Sequence, residues 1–257
     1  MPGRLADKVA IVTGAGSGIG KAIAELFAAE DATAVLAEWN RDSGQRTEAE
    51  IRSRGQRALF VATDVSKAAE VEALVGQTVA DFGRLDILVN NAAVQILSKL
   101  TDTSEEDWDR IHSINLKGVF LCSKYAIPVM ARAGGGSIVN IASILGFVGD
   151  PDLAAYCAAK GGVLALTKAA ALAYGPAGVR VNAICPGDVD TPMVQDYFNK
   201  DPDPEGLRRE VYSKYALRRI ASPLEIAEAA LYLASDASSF MTGASLVIDG
   251  GLTSKCY

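Results

Sequence analysis

Short runs of aliphatic and β-branched residues recur along the chain, separated by longer stretches in which apolar positions repeat every three or four residues. The runs KVAIVTG (8–14), ATAVLAE (32–38), ALFVATD (58–64), LDILVNN (85–91), SIVNIAS (137–143), VRVNAICPG (179–187) and SLVIDGG (245–251) predict strands. Most are apolar nearly throughout, as expected of parallel strands covered on both faces. Helices are predicted for GIGKAIAELFAAE (18–30), AAEVEALVGQTVADFG (68–83), SEEDWDRIHSINLKGVFLCSKYAIPVMARA (104–133) and SPLEIAEAALYLAS (222–235). The last opens with Ser222 as N-cap, Pro223 at the first helical position and Glu225 three residues after the cap, a capping box. This alternation predicts an α/β fold over residues 1–257: one doubly wound domain with a parallel seven-stranded sheet and helices on both faces. Residues 188–221 lack clear periodicity, and NKDPDPEG (199–206) within them is rich in Pro, Asp and Gly. They read as a long functional loop serving the substrate.

Composition narrows the function classes. Apolar residues make up 49% and charged residues 22% of 257 residues, which excludes a disordered or fibrous chain. A net charge of −6 and an isoelectric point near 5.0 argue against nucleic acid or an anionic membrane surface as partner. MPGRLADKVAIVTG, whose apolar run is soon ended by glycine, is expected to be neither a signal peptide nor a membrane span. Cys122, Cys157, Cys185 and Cys256 show no C-x-x-C spacing and His112 is the single histidine, so no metal site is expected. Reduced thiols and a cytoplasmic location are the simple account.

TGAGSGIG (13–20) lies between the first strand and the first helix. Gly14, Gly18 and Gly20 allow a tight turn and close approach to a pyrophosphate, while the helix N-terminus offers amide hydrogens and a positive dipole end. Glycine loops alone are weak signals; at this place in an α/β chain the loop predicts a Rossmann-type dinucleotide site. Glu38, closing the second strand, is placed to hold the adenosine ribose, which predicts NAD rather than its phosphorylated form.

YCAAK (156–160) sets a phenol and an ammonium four residues apart, one turn along one helix face. A neighbouring cation favours phenolate, and the small residues between leave room for a flat group to approach. Taken alone, Tyr-x-x-x-Lys is common by chance.

Together these motifs resemble the classical short-chain dehydrogenase/reductase family over nearly the whole chain. The family's T-G-x-x-x-G-x-G loop matches Thr13 to Gly20, and its acid–hydrophobic pair matches Asp64-Val65, implied to contact adenine. N-N-A-G appears as Asn90-Asn91-Ala92-Ala93, the helix asparagine as Asn115, and the catalytic serine as Ser143, thirteen residues before Tyr156. Tyr156-x-x-x-Lys160 is followed by P-G-x-x-x-T as Pro186, Gly187 and Thr191. Seven motifs in order at family spacing are highly specific. Ala93 departs from the pattern; if its position required a positive φ, the methyl would cost about 1 kcal/mol.

The resemblance implies hydride transfer between a nicotinamide cofactor and a carbinol carbon, with Asn115, Ser143, Tyr156 and Lys160 catalytic. It implies a cofactor site of Gly14, Ser17, Gly18, Ile19, Gly20, Glu38, Asp64, Val65, Asn91, Tyr156, Lys160, Pro186, Gly187, Val189 and Thr191. A tyrosine needs its pKa lowered by ~3 units, worth ~4 kcal/mol, to act as a base near neutrality. Lys160 and the charge of oxidised nicotinamide are the expected sources. Ser143 suits the substrate oxygen, and the family asparagine holds a water relaying protons from the lysine. Substrate lining is expected from Ser143, Tyr156, Gln95, Leu145, Phe147, Asp150 and Asp152, a mixture that fits an aryl or alicyclic alcohol as well as a sugar or polyol. His112, Cys157, Trp39 and Trp108 read as packing or solvated residues, and the pairs Arg208-Arg209 and Arg218-Arg219 as solvated charges. AAYCAAKGGVLALTKAAALAYG (154–175) carries more apolar residues than one core-facing stripe needs, which predicts a homo-oligomer, a tetramer in this family. LTSKCY near the end resembles a further family interface. Two alternatives stay open: an NADP-dependent 3-oxoacyl-thioester reductase, and a catalytically silent dinucleotide-binding regulator. The intact tetrad argues against the regulator, which needs none of it.

Overall fold

The computed structural model describes residues 2–254. Strands β1 (Val9–Thr13), β2 (Thr33–Glu38), β3 (Arg57–Ala62), β4 (Ile87–Asn90), β5 (Gly136–Ile141), β6 (Val179–Pro186) and β7 (Ser245–Ile248) form one parallel sheet, ordered β3-β2-β1-β4-β5-β6-β7. The helices are α1 (Gly18–Ala29), α2 (Arg41–Ser53), α3 (Ala68–Phe82), α4 (Glu105–Asn115), α5 (Lys117–Arg132), α6 (Ala154–Tyr174), α7 (Pro192–Asn199), α8 (Pro204–Lys214) and α9 (Pro223–Ala234).

Side chains alternate across a strand, so a strand buried on both faces feeds two cores. Ala10 and Val12 join Phe27, Leu36, Ile226 and Leu231 beneath α1 and α9. Val9 and Ile11 join Leu74, Leu88 and Met130 beneath α3 and α5. Strand order reverses between β1 and β4, and their carboxyl ends flank the crevice where doubly wound sheets bind ligands. At that level Asn90 donates to Asn140 Oδ1 at 2.8 Å, and Asn140 donates to Thr167 Oγ1 at 2.9 Å. This buried line ties β4 through β5 to α6, the helix that carries Tyr156.

Three stretches and one side chain differ from the sequence reading. The expected loop at 188–221 contains α7 and α8, held by a core of Phe198, Val211, Tyr215 and Ile220. Pro192 and Pro204 occupy first-turn positions there, and the Asp203 carboxylate accepts the Gly206 N–H. Between the second and third predicted strands, where the sequence pattern predicts no helix, Arg41 is the first residue of α2, which Asn40 caps by accepting the Ser43 N–H. The stretch 104–133 breaks at Leu116 into α4 and α5. Trp39 does not pack: it is 76% exposed.

No helix among the described residues is long and apolar enough to cross a membrane, and none of their side chains cluster as a metal site. Cys122, Cys157 and Cys185 are free thiols; Cys256 and the end of LTSKCY lie outside the described residues.

Candidate active site

Gly14 and Gly18 adopt φ of 65° and 53°, so the turn after β1 is one that L side chains resist. A methyl at Gly20 would run into the Gly14 carbonyl and the Asn91 amide, and one at Gly18 would sit 3.1 Å from Thr191. The cradle stays open because these positions lack side chains. Ser17 caps α1 with its backbone alone, leaving the first-turn amides without a side-chain partner. Asn91 braces the turn, donating to the Thr13 and Gly14 carbonyls at 2.9 and 3.2 Å. Thr13 Oγ1 in turn accepts the Asn91 and Ala92 N–H groups.

Glu38 ends β2 with its side chain buried against this loop. Its Oε2 accepts the Gly16 N–H and its Oε1 the Asn40 N–H, each at 3.0 Å. Asp64 accepts from the Ser66 amide and hydroxyl at 3.0 and 2.7 Å. Burial pushes the Asp64 carboxyl up, but the Ser66 donors and Lys67 outweigh it and hold it below the usual range. The open glycine cradle, the unpartnered helix amides and the fixed carboxylate fit a dinucleotide.

Tyr156 and Lys160 share one face of α6, the Lys160 Nζ lying 5.4 Å from the Tyr156 ring centroid. Nζ donates to the Ile141 carbonyl at 2.7 Å, which pins it at the end of β5. Burial pulls the Lys160 ammonium down to about 8. Tyr156 keeps part of its surface open, yet desolvation, with the charges of Cys157 and Asp188, holds its phenol above the ordinary value. Burial thus opposes the phenolate here, and a positive charge brought into the cleft would favour it. Ser143, just past β5, is extended and buried, its Oγ accepting the Leu145 N–H at 3.1 Å.

One cleft of about 1540 Å³ joins these groups, lined by Gly14, Glu38, Asp64, Ser143, Tyr156, Lys160 and Thr191 among others. Ser17, Gly18, Ile19, Val65, Asn91, Pro186, Gly187 and Val189 also line it, as do Gln95, Leu145, Asp150 and Asp152. Phe147 does not; it points to solvent, 53% exposed, because the short turn after Ser143 carries it outward. Asn90 gives its Nδ2 to the sheet network through Ser123 and Asn140. Asn115 stands behind the wall: Oδ1 accepts the Val94 N–H and Nδ2 donates to the Val94 carbonyl, both at 2.8 Å. It holds the irregular segment around Val94 that lines the cleft, and α4 ends there. Asn115→Ala would orphan both Val94 groups, and denaturant unfolding is expected to report a loss of ~2–4 kcal/mol.

Ala93 is absent from the residues with positive φ, so its methyl imposes no backbone strain. Sequence reasoning named Thr13 only as the start of the glycine motif, covered Asp188 and Tyr215 only within the 188–221 stretch, and read Trp39 as packing; all but Thr13 line the cleft. The signals were a threonine closing β1, a tryptophan beside Glu38, and an aspartate inside the P-G-x-x-x-T run. His112 stacks on Trp108 with ring centroids 4.1 Å apart. Arg208 lies over Phe198 and donates to Gln195, while Arg219 pairs with Glu225, so these charges serve local structure.

A doubly wound sheet with a glycine cradle, a carboxylate fixed against it and a Tyr–Lys pair in one cleft is the arrangement of a nucleotide-dependent oxidoreductase. Comparison with known proteins agrees. The family model described as enoyl-(acyl carrier protein) reductase matches residues 14–253. The chain is 43% identical over 249 residues to cis-4-hydroxycyclohexanecarboxylate dehydrogenase of Sinomonas cyclohexanicum, covering 96% of this chain and 97% of that one. It is 41% identical over 252 residues to meso-2,3-butanediol dehydrogenase of Serratia marcescens, covering 98% and 97%. A crystal structure from Burkholderia xenovorans, described as a short-chain dehydrogenase/reductase, superposes with a TM-score of 0.96 at 38% identity, covering 99% of this chain and all of that one. The chain belongs to the short-chain dehydrogenase/reductase family and is an oxidoreductase acting on CH–OH groups.

Proposed function

We propose that the protein is an NAD-dependent dehydrogenase interconverting a secondary alcohol and its ketone, with Tyr156 as general acid/base. The observation that carries this reading is the shared cleft: Tyr156 and Lys160 at one end, Glu38 at the other, the glycine cradle between. The relatives' names, dehydrogenases of a hydroxycyclohexane acid and of a vicinal diol, support a secondary alcohol.

Gly14, Ser17, Gly18, Ile19 and Gly20 would hold the pyrophosphate, Glu38 the adenosine ribose, and Asp64 and Val65 the adenine. Asn91, Pro186, Gly187, Val189 and Thr191, with Tyr156 and Lys160, would hold the nicotinamide half. The bound dinucleotide supplies the acceptor or donor of hydride. Ser143 Oγ donates to the substrate oxygen. Tyr156 takes the hydroxyl proton during oxidation and returns it during reduction. Lys160, anchored by the Ile141 carbonyl, stabilises the phenolate. Asn115 positions Val94 in the cleft wall. Turnover of a panel of cyclic alcohols and diols with oxidised cofactor tests this reading; cofactor binding without turnover of any alcohol or ketone would leave a binding protein instead.

The protein acts as a homotetramer in the cytoplasm on this reading. Leu172 is 83% exposed on α6 beside exposed Ala165, Ala169 and Ala173, and Val247 is open on β7. An apolar helix face left uncovered supports packing against a second copy. Light scattering at micromolar concentration is expected to give about four times the chain mass, and a monomer would contradict it.

A further inference from the structure

Asp188 sits immediately after the Pro186-Gly187 turn at the carboxyl end of β6 and lines the cleft. Its position is fixed from three sides. Its N–H donates to Tyr215 Oη at 2.7 Å, and that hydroxyl donates back to Asp188 Oδ2 at 2.7 Å. Its carbonyl accepts the Ala221 N–H at 3.1 Å. Tyr215 is itself buried, and its ring reaches this place because Gly187 has no side chain: a Cβ there would stand 3.1 Å from it. A glycine, a buried tyrosine and the backbone of the α8–α9 connection thus aim one carboxylate.

Among the described residues Oδ1 of Asp188 accepts no hydrogen bond. Asp188 shares the cleft with Tyr156 and bears on its phenol, and Asp150, another lining residue, bears on Asp188. Lys214 also bears on Asp188, but its ion pair is with Glu210 at 2.9 Å. Oδ1 is thus a fixed acceptor, open to the same cleft that Tyr156 lines and free to take a hydrogen bond from a bound ligand.

We propose that Asp188 determines specificity by accepting a hydrogen bond from a second hydroxyl next to the reacting carbinol, so that the substrate is a vicinal diol or polyol. This rests on the alcohol-dehydrogenase reading above. A hydroxyl suits the site because the substrate of an alcohol dehydrogenase already carries one at the reacting carbon, and a second on the next carbon can reach a carboxylate in the same cleft. Carboxylate-bearing alcohols meet Asp188 and Asp150 as like charges and are disfavoured. Sites built to hydrogen-bond a substrate hydroxyl discriminate strongly against analogues lacking it, because the site's group is left unpaired.

The test compares cyclohexane-1,2-diol with cyclohexanol, and 2,3-butanediol with 2-butanol, in the wild type and in Asp188→Asn and Asp188→Ala. The readout is the diol-to-mono-ol ratio of kcat/KM within each protein, which cancels any shared loss from folding or from altered charge at Tyr156. The wild-type ratio is expected to exceed about tenfold and to fall toward one in both variants. Calorimetry of each diol and mono-ol with protein saturated in reduced cofactor, where no turnover occurs, is expected to show the same preference and the same loss. A ratio near one in the wild type, or one unchanged in both variants, overturns the inference while leaving the alcohol-dehydrogenase reading in place. Higher kcat/KM for 1-amino-2-propanol or for lactate than for the diols also overturns it. Absence of turnover with every alcohol removes both readings together.

Discussion

Tyr156→Phe is expected to reduce turnover by ~10²-fold or more while leaving cofactor affinity within a few-fold. The substitution removes one oxygen from a ring whose position on α6 is set by its backbone, so the cleft keeps its shape. General acid/base groups contribute ~10²–10⁴-fold, and the neighbouring Lys160 is already bound to the Ile141 carbonyl. The interaction lost is one made in the transition state, so kcat and kcat/KM should fall together. A pH signature accompanies it. Burial holds the phenol above its ordinary value, so alcohol oxidation, which needs phenolate, rises with pH, whereas ketone reduction, which needs the proton, falls. Lys160, drawn down to about 8, loses its charge above that pH and with it the support of the phenolate. Steady-state kinetics in both directions, with fluorescence titration of cofactor, measure all of this. Near wild-type turnover in the variant would remove Tyr156 from the chemistry.

The sheet was legible because strands buried on both faces must be apolar throughout, and Ile11 and Val12 serve two different cores. The cofactor end was legible for a similar reason: Gly14, Gly18 and Gly20 stand where a side chain would collide, so the spacing carries the geometry. Elements with little core were not legible. Along α2 only Gly44, Thr47 and Ile51 are buried, too few to mark a periodicity, and its start is set by the Asn40 cap. Around α7 and α8 the apolar residues close on one another in a small separate core, and two prolines that mark loops elsewhere stand at helix starts. Asn115 shows the limit most clearly. Its type and place were read from the sequence, but its two bonds to Val94 join residues 21 apart and are visible only in three dimensions. The same holds for Asp188, whose partner Tyr215 is 27 residues away.

With any accepted alcohol, kcat/KM for NAD is expected to exceed that for the 2′-phosphorylated cofactor by about a hundredfold or more. Glu38 is the cause. Its two oxygens are held by the Gly16 and Asn40 amides, so the carboxylate cannot swing aside when a phosphate arrives. Each oxygen still has capacity for a ribose hydroxyl. Two unit charges ~4 Å apart repel by ~4 kcal/mol at an effective dielectric near 20, and a hundredfold needs only ~2.7 kcal/mol. Ser17 stands where phosphate-binding relatives usually carry a basic residue. Arg41 is the opposing term: it lines the cleft as the first residue of α2 and lies within reach of the same region. Its side chain is long and exposed, however, and holding it on a phosphate costs rotamer entropy that the pinned Glu38 does not incur. Glu38→Gln tests the charge with the shape retained, and should narrow the gap mainly by improving the phosphorylated cofactor. Glu38→Ala should narrow it further but also weaken NAD, since Gly16 and Asn40 lose their acceptor. Equal or better kcat/KM with the phosphorylated cofactor in the wild type would refute the assignment and turn attention to Arg41, whose replacement by alanine should then abolish that preference.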